Sequence, residues 1–451
     1  MARPRKNADA SRASLLPESA PLPEIPVREQ PCPLPEGWKW VRLGDVYTIN
    51  PKNEINDSTL VSFVPMEKIS PGMTGVFTFE TRNWEKVKRG YTHFADGDVA
   101  FAKISPCFEN RKSMIVHGLE NGYGAGTTEL IILRQPNILQ KYTFFIISTD
   151  DFIQKGVQTY SGTVGQQRIS IDFVRNYPIP LPPREEQERI VGHIESLFAR
   201  LDEARQKAEA VRDSVALRRA AILHKAFTGE LTAKWREEHN KPYTWETKKL
   251  KEICQKITDG THHSPENSEI GDYMYVTAKN IKESGIDLSK ITYIDKKTHA
   301  EIYSRCDVKF EDVLYIKDGA TTGIATVNTL HEEFSLLSSV AVLRPKRNIL
   351  FPYFFAYSLN SSDVKSKMIN NMSGNAITRL TLSKIKESSI AICTLEEQRE
   401  IVRLLDDLLG RERRIGEAAD AVVAHIERMK KAILARAFRG ELGRADRPSR
   451  A

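Results

Sequence analysis

With 451 residues, 40% of them hydrophobic and 28% charged, the chain has an ordinary globular composition and the length of roughly two to four domains. No run of about eighteen apolar residues occurs, which excludes a membrane-spanning helix, and the N-terminus lacks a signal peptide's apolar core. A net charge of +7 suits an anionic partner, but no segment is a basic block, so nucleic-acid binding would need local patches.

Residues 1–36 hold eight of the 22 prolines, with Arg3, Arg5, Lys6 and Arg12 near the start, and read as a disordered arm. Residues 37–183 form a globular segment opened by Trp38 and Leu43. Residues 98–103 and Leu130–Arg134 are short apolar runs bounded by turn signals, hence strands. Phe144-Phe145 opens an amphipathic helical stretch, and Ser161-Gly162 with Arg168-Ile169 leads through a short strand to Pro182-Pro183.

Residues 184–243 read as a long helix and linker. Glu185 and Glu186 sit where a helix dipole favours negative charge, and Gly229 is a stop signal. Apolar residues at Ile190, Ile194, Leu197, Leu201, Ala204, Ala208, Val211 and Val215 alternate steps of four and three, a heptad seam of period 3.5.

Everything then recurs. Residues 244–394 open with Trp245 and Leu250 and repeat the two strands at 312–317 and 340–344. Phe354-Phe355 opens a helical stretch, and Ser373-Gly374 with Arg379-Leu380 comes last. Residues 395–443 repeat the helix at a constant offset of 211: Glu185-Glu186-Gln187 returns as Glu396-Glu397-Gln398, and Gly229-Glu230-Leu231 as Gly440-Glu441-Leu442. The seam returns at Ile401, Leu405, Leu408, Ile415, Val422 and Ile426, with Glu412 as a polar intrusion. Residues 444–451 read as a disordered tail.

A helix of about forty residues spans roughly 60 Å and needs a partner stripe to be stable. The other copy is the simplest partner, and two tandem copies related by a pseudo-two-fold axis run antiparallel. Packing of each helix on its own globular segment, or pairing in a homo-oligomer, are the alternatives. The fold class is α+β: two mixed α/β domains separated by two long helices forming an antiparallel coiled coil.

Catalytic signatures are absent. The chain has no Gly-Lys dipeptide, hence no phosphate-cradling GxxxxGK[ST] loop, and residues 122–126 lack the GxGxxG spacing. His262-His263 after Asp259 are neighbours on a turn, a poor arrangement for one ion. Cys32, Cys107, Cys254, Cys306 and Cys393 show no metal-ligand spacing, which argues for a reducing compartment, the cytoplasm. An enzyme with an unfamiliar site, for which Glu246-Thr247-Lys248 offers a lone ExK, and a coiled-coil scaffold binding only proteins are the competing readings.

These residues resemble the specificity subunit of a type I DNA restriction–modification system. The resemblance is carried by residues 180–183 with Glu185-Glu186-Gln187 and Ile190-Val191, by residues 226–232 with Trp235-Arg236, by the copies at 396–402 and 437–442, by residues 161–170, by residues 259–263, and by residues 276–281. It implies that each globular segment is a target recognition domain reading one half of a bipartite, asymmetric DNA sequence. The helices would set the spacing and dock modification subunits, which methylate adenine with S-adenosylmethionine. A restriction subunit would add ATP- and Mg²⁺-dependent translocation and cleavage. The chain itself would be non-catalytic and bind no cofactor and no metal.

Base readout calls for Arg, Lys, Asn or Gln on loops, and phosphate contact for Lys or Arg beside small residues. The candidates in the first segment are Lys103, Arg111, Lys112, Gln166, Gln167 and Arg168, with the aromatic-flanked basic run Trp84, Lys86, Lys88 and Arg89. In the second segment they are Lys279, Asn280, Lys317, Asn375 and Arg379.

Overall fold

The structure, a computed structural model, describes residues 23–370 and 380–442. It divides into two compact units: residues up to Gln206 together with those from Val422 onward, and Lys207–Ala421. The 44-residue helices Arg184–Phe227 and Leu395–Phe438 each begin in one unit and end in the other.

In the first unit a four-stranded antiparallel sheet runs in the order Thr48–Ile49, Leu130–Arg134, Val99–Ala102, Ser113–Ile115. Both faces are covered, which is why its strands read as unbroken apolar runs. Val99, Phe101, Ile131 and Leu133 share a core with helix Gln140–Ile147, with Ile190 and Ile194, and with Leu434 and Phe438. Ala100, Leu130 and Ile132, one residue out of phase, share another with Val64 and Phe94 of a second sheet. That second sheet has the order Glu80–Asn83, Leu60–Val64, Tyr123–Gly126, Thr92–Ala95, with a parallel pair at its centre. A ribbon of Lys39–Arg42 and Pro178–Leu181 completes the unit.

The second unit repeats this frame. Its antiparallel sheet has the order Cys254–Asp259, Val340–Pro345, Val313–Ile316, Ala325–Val327. A second sheet, Thr292–Ile294, Tyr273–Val276, Phe334–Leu336, again contains one parallel pair, and Glu246–Lys249 pairs with Ser389–Ile392. A hairpin of Ile281–Lys282 and Gly285–Ile286 is added. Helix Gln140–Ile147 and its counterpart Pro352–Asn360 are buried nearly all round, so the expected amphipathic stretches are core helices instead.

Two side-chain devices repeat with the frame. Buried Asp98 takes Nε and Nη2 of Arg134 at 2.7 and 2.8 Å, and buried Asp312 takes the same atoms of Arg344 at 2.9 and 2.8 Å. The Gln of each Glu-Glu-Gln motif is a latch. Gln187 accepts from Leu139 N and donates to Pro182 O, while Gln398 accepts from Phe351 N and donates to Cys393 O. Each thereby ties the long helix to the start of the adjoining core helix.

Within the first unit Asp202 pairs with Lys430 at 2.5 Å and Arg205 with Glu427 at 2.6 Å. Within the second, Arg218 pairs with Glu412 at 2.8 Å and Arg212 with Asp420 at 3.8 Å. The expected heptad seam needs correction. Val211, Ile415 and Val422 are 41, 39 and 45% exposed, whereas Val423 is half-buried. Residues 211–213 are all exposed, so the inward stripe is interrupted between Ala208 and Val215. Gly229 at φ +82° and Gly440 at φ +72° follow the two helix ends in the left-handed conformation expected of stop signals.

The reading of residues 1–36 as disordered is corrected for residues 23–36, while 1–22 and the tail at 444–451 lie outside the described residues. Ile25 is buried and donates its N–H to Trp40 O at 2.8 Å, and Trp40 Nε1 donates to Cys32 O at 2.8 Å. Prolines that fix φ lower the entropy lost on ordering, so a Pro-rich stretch with a few apolar anchors can pack.

Candidate nucleic-acid interface

In the first unit the run from Trp84 to Arg89 splits by helical geometry. The short helix Trp84–Val87 turns Trp84 and Val87 into a core with Val61 and Phe63. Trp84 is therefore no stacking platform for a base. Its ring lies 4.5 Å from that of His93, whose pKa is pushed down by burial and then by Lys52. Lys88 is 2.5 Å from Asp57, and Lys86 and Arg89 remain exposed.

Arg111 and Lys112 are internal ties. Arg111, at φ 52°, donates Nε to Ser148 O at 3.1 Å and pairs with Asp150, and Lys112 Nζ donates to Met66 O at 2.9 Å. The structure does bring Lys103, Gln167 and Arg168 together. Lys103 N donates to Glu129 O, Ile169 N to Lys103 O, and Ser105 N to Gln167 O. Arg168 grips Glu129 with Nε and Nη2 at 2.9 and 2.8 Å. That grip, reinforced by the charges of Arg168 and Lys103, holds the Glu129 carboxyl below its ordinary range. Gln166 lies on the exposed loop before Arg168.

The second unit builds the same junction with different side chains. Lys317 N donates to Ser339 O and Leu380 N to Lys317 O, so Lys317 stands where Lys103 does and Ser339 where Glu129 does. Lys317 is no surface cation: it is buried, 3.4 Å from Asp259 and 3.1 Å from Asp318. Asp259 also lies 3.5 Å from Arg305 and 3.6 Å from His262, which gives residues 259–262 an internal electrostatic role. Asn280 is buried in a turn, accepting from Thr277 N at 3.0 Å and donating to Asp287 O at 3.0 Å. Lys279 is exposed, and Asn375 and Arg379 lie outside the described residues.

Lys279 borders a groove of about 710 Å³ that also includes Lys282, Lys290, Asn267, Tyr275 and Ser339, none of which the sequence singled out. The available signal was the density of lysines flanking a short hairpin. Gly260 beside this region admits no side chain, because a methyl there would overlap the Leu336 carbonyl. Gly260→Ala is expected to disrupt the Thr261–Leu337 bridge and lower the melting temperature, whereas Gly285→Ala, with φ +135° but open space, is expected to act only through backbone strain. Thermal unfolding of the two variants makes the comparison.

Among the described residues no cluster of three or more His, Cys, Asp or Glu is placed to hold a metal ion, and no helix is long and apolar enough to cross a membrane. The five cysteines are free, and burial pushes the Cys254 and Cys306 thiols up to about 12.

Comparison with known proteins matches residues 35–211 and 242–417 to the type I restriction modification DNA specificity domain. The specificity subunit of the type I restriction enzyme EcoAI of Escherichia coli is 41% identical over 206 residues, covering 45% of this chain and 35% of that one. The EcoEI specificity subunit of Escherichia coli is 44% identical over 191 residues, covering 42% and 32%. The chain thus spans about a third of the length of these two relatives. A chain from a solved structure concerned with complex assembly and conformational transition of the type I R-M system shares the fold, with a TM-score of 0.72 at 23% identity over 91% of this chain and 100% of that one. With two matched regions covering most of its length, the chain belongs to the type I restriction modification DNA specificity domain family.

Proposed function

We propose that this chain is the non-catalytic DNA-addressing subunit of a type I restriction–modification complex, acting in the cytoplasm. Residues 37–183 and 244–394 are two target recognition domains, each reading one half of a bipartite, asymmetric sequence. The two long helices pair as an antiparallel coil with pseudo-two-fold symmetry, set the spacing between half-sites and dock the modification subunits. Those subunits use S-adenosylmethionine to methylate adenine, and a restriction subunit uses ATP and Mg²⁺. Lys86, Arg89, Lys103, Gln166, Gln167, Arg168, Lys279, Asn375 and Arg379 are the expected DNA contacts that no internal pairing described here removes.

The observation that carries this reading is the shared junction with unshared side chains. The same main-chain bonds hold Lys103 beside Glu129 and Arg168 in one unit and Lys317 beside Ser339 in the other. One frame bearing two polar surfaces is what reading two different sequences requires.

The test reconstitutes the chain with its modification subunits and maps methylated adenines. One interrupted, asymmetric motif is expected, and absence of site-specific methylation would refute the proposal. Inserting four residues into both helices adds about 6 Å each and should change the gap between half-sites by one or two base pairs. The purified chain alone with plasmid and Mg²⁺ should cut nothing.

A further inference from the structure

The groove beside Lys279 in the second unit includes two hydroxyl-bearing residues, Tyr275 and Ser339, in its lining. Tyr275 is 2% exposed with Ser264 beside its hydroxyl, while Ser339 Oγ is buried without a hydrogen-bond partner. A buried polar group left unpaired costs about 1–3 kcal/mol, so a fold keeps such groups where an external donor or acceptor completes them. The Ser339 hydroxyl in this groove is such a position, and Tyr275 Oη, beside Ser264, keeps further donor or acceptor capacity. Each can donate or accept, which matches the mixed pattern of donors and acceptors along a base edge.

The rim supplies the other half of a nucleic-acid site. Lys279, Lys282 and Lys290 line the groove, all exposed. The carboxylate in the lining, Asp287, accepts from Ser289 N at 3.0 Å, and its main-chain oxygen is taken by Asn280. Three lysines against one carboxylate, which lies close enough to Lys282 and Lys290 to feel their charge, leave this rim a positive excess suited to a phosphate backbone. The position of Ser339 adds specificity: its counterpart in the first unit, Glu129, is held by Arg168, whereas Ser339 Oγ has no partner.

We propose that this groove holds the half-site read by the second unit, with Tyr275 Oη and Ser339 Oγ contacting base edges and Lys279, Lys282 and Lys290 contacting phosphates. The proposal rests on the DNA-addressing reading above and assigns its specificity-determining groups in one unit.

The experiment uses the full chain reconstituted with its modification subunits, scored by methylation of a library randomised at every position of the wild-type motif. Ser339→Ala removes only an unpaired hydroxyl, so it should fold at least as stably as the parent, and thermal unfolding verifies that it and Tyr275→Phe are both folded. Each is expected to relax discrimination by about tenfold or more at one or two positions in one half-site, leaving the other half-site unchanged. Each of Lys279→Gln, Lys282→Gln and Lys290→Gln should weaken binding to all sequences alike and reduce the salt slope of log K by about 1. Unchanged discrimination in both hydroxyl variants, or relaxation spread over both half-sites, would overturn the assignment. Failure of the wild-type complex to methylate any defined site would instead sink the DNA-addressing reading on which it rests.

Discussion

Arg134→Met is expected to destabilise the first unit by about 3–5 kcal/mol, the scale for stripping one partner from a buried ion pair. Asp98 is 1% exposed and draws both oxygens' main support from Arg134, with Ala95 N as its remaining donor at 2.7 Å. Methionine fills much of the space but leaves a carboxylate stranded. The counterpart substitution, Arg344→Met, should act alike in the second unit, where Asp312 is equally buried and keeps Lys309 N at 2.8 Å. Arg184→Met is the control: its pair with Glu188 is half exposed on both sides and is worth less than about 1 kcal/mol. Urea unfolding of the three variants decides the matter, and equal losses at Arg134 and Arg184 would contradict the argument.

Glu397→Ala is the second large effect, also about 3–5 kcal/mol. Its buried carboxylate accepts from Thr232 Oγ1 at 2.7 Å, from Trp245 Nε1 at 3.2 Å and from Arg236, which is only 12% exposed. One oxygen thus fastens the segment after the central helix to the first turn of the C-terminal helix. Removing it leaves a guanidinium, a hydroxyl and an indole N–H short of an acceptor. The matching residue in the first copy, Glu186, closes on Arg189 one turn along its own helix at 2.7 Å. Glu186→Ala should therefore cost less, and calorimetric melting of both variants would reveal the asymmetry hidden behind identical motifs.

The frame was legible because it depends on patterns the sequence states outright. Unbroken apolar runs at Val99–Ala102 and Val313–Ile316 are strands covered on both faces, and the offset of 211 marks the repeat. Individual side chains were less legible. A lysine or arginine declares its charge but not its partner, and Arg111, Lys112 and Lys317 meet theirs through folding that brings distant residues together. Trp84 in a basic run looked exposed, yet its spacing of three from Val87 is the helical signal for one inward face. The heptad register misled at Val211 because apolar spacing marks a candidate face and not its cover, and residues 211–213 are all exposed. Residues 23–36 misled because proline content outweighed the anchoring effect of Ile25.

The junction shared by Glu129 and Ser339 is fastened through main-chain atoms, Lys103 N to Glu129 O and Lys317 N to Ser339 O. No side chain at that place is needed to close it. Mutation there can accordingly wander through chemically unlike residues while the architecture stays intact, so the surface at this place can change its chemistry in such a lineage by drift at a few points instead of by reinventing a domain.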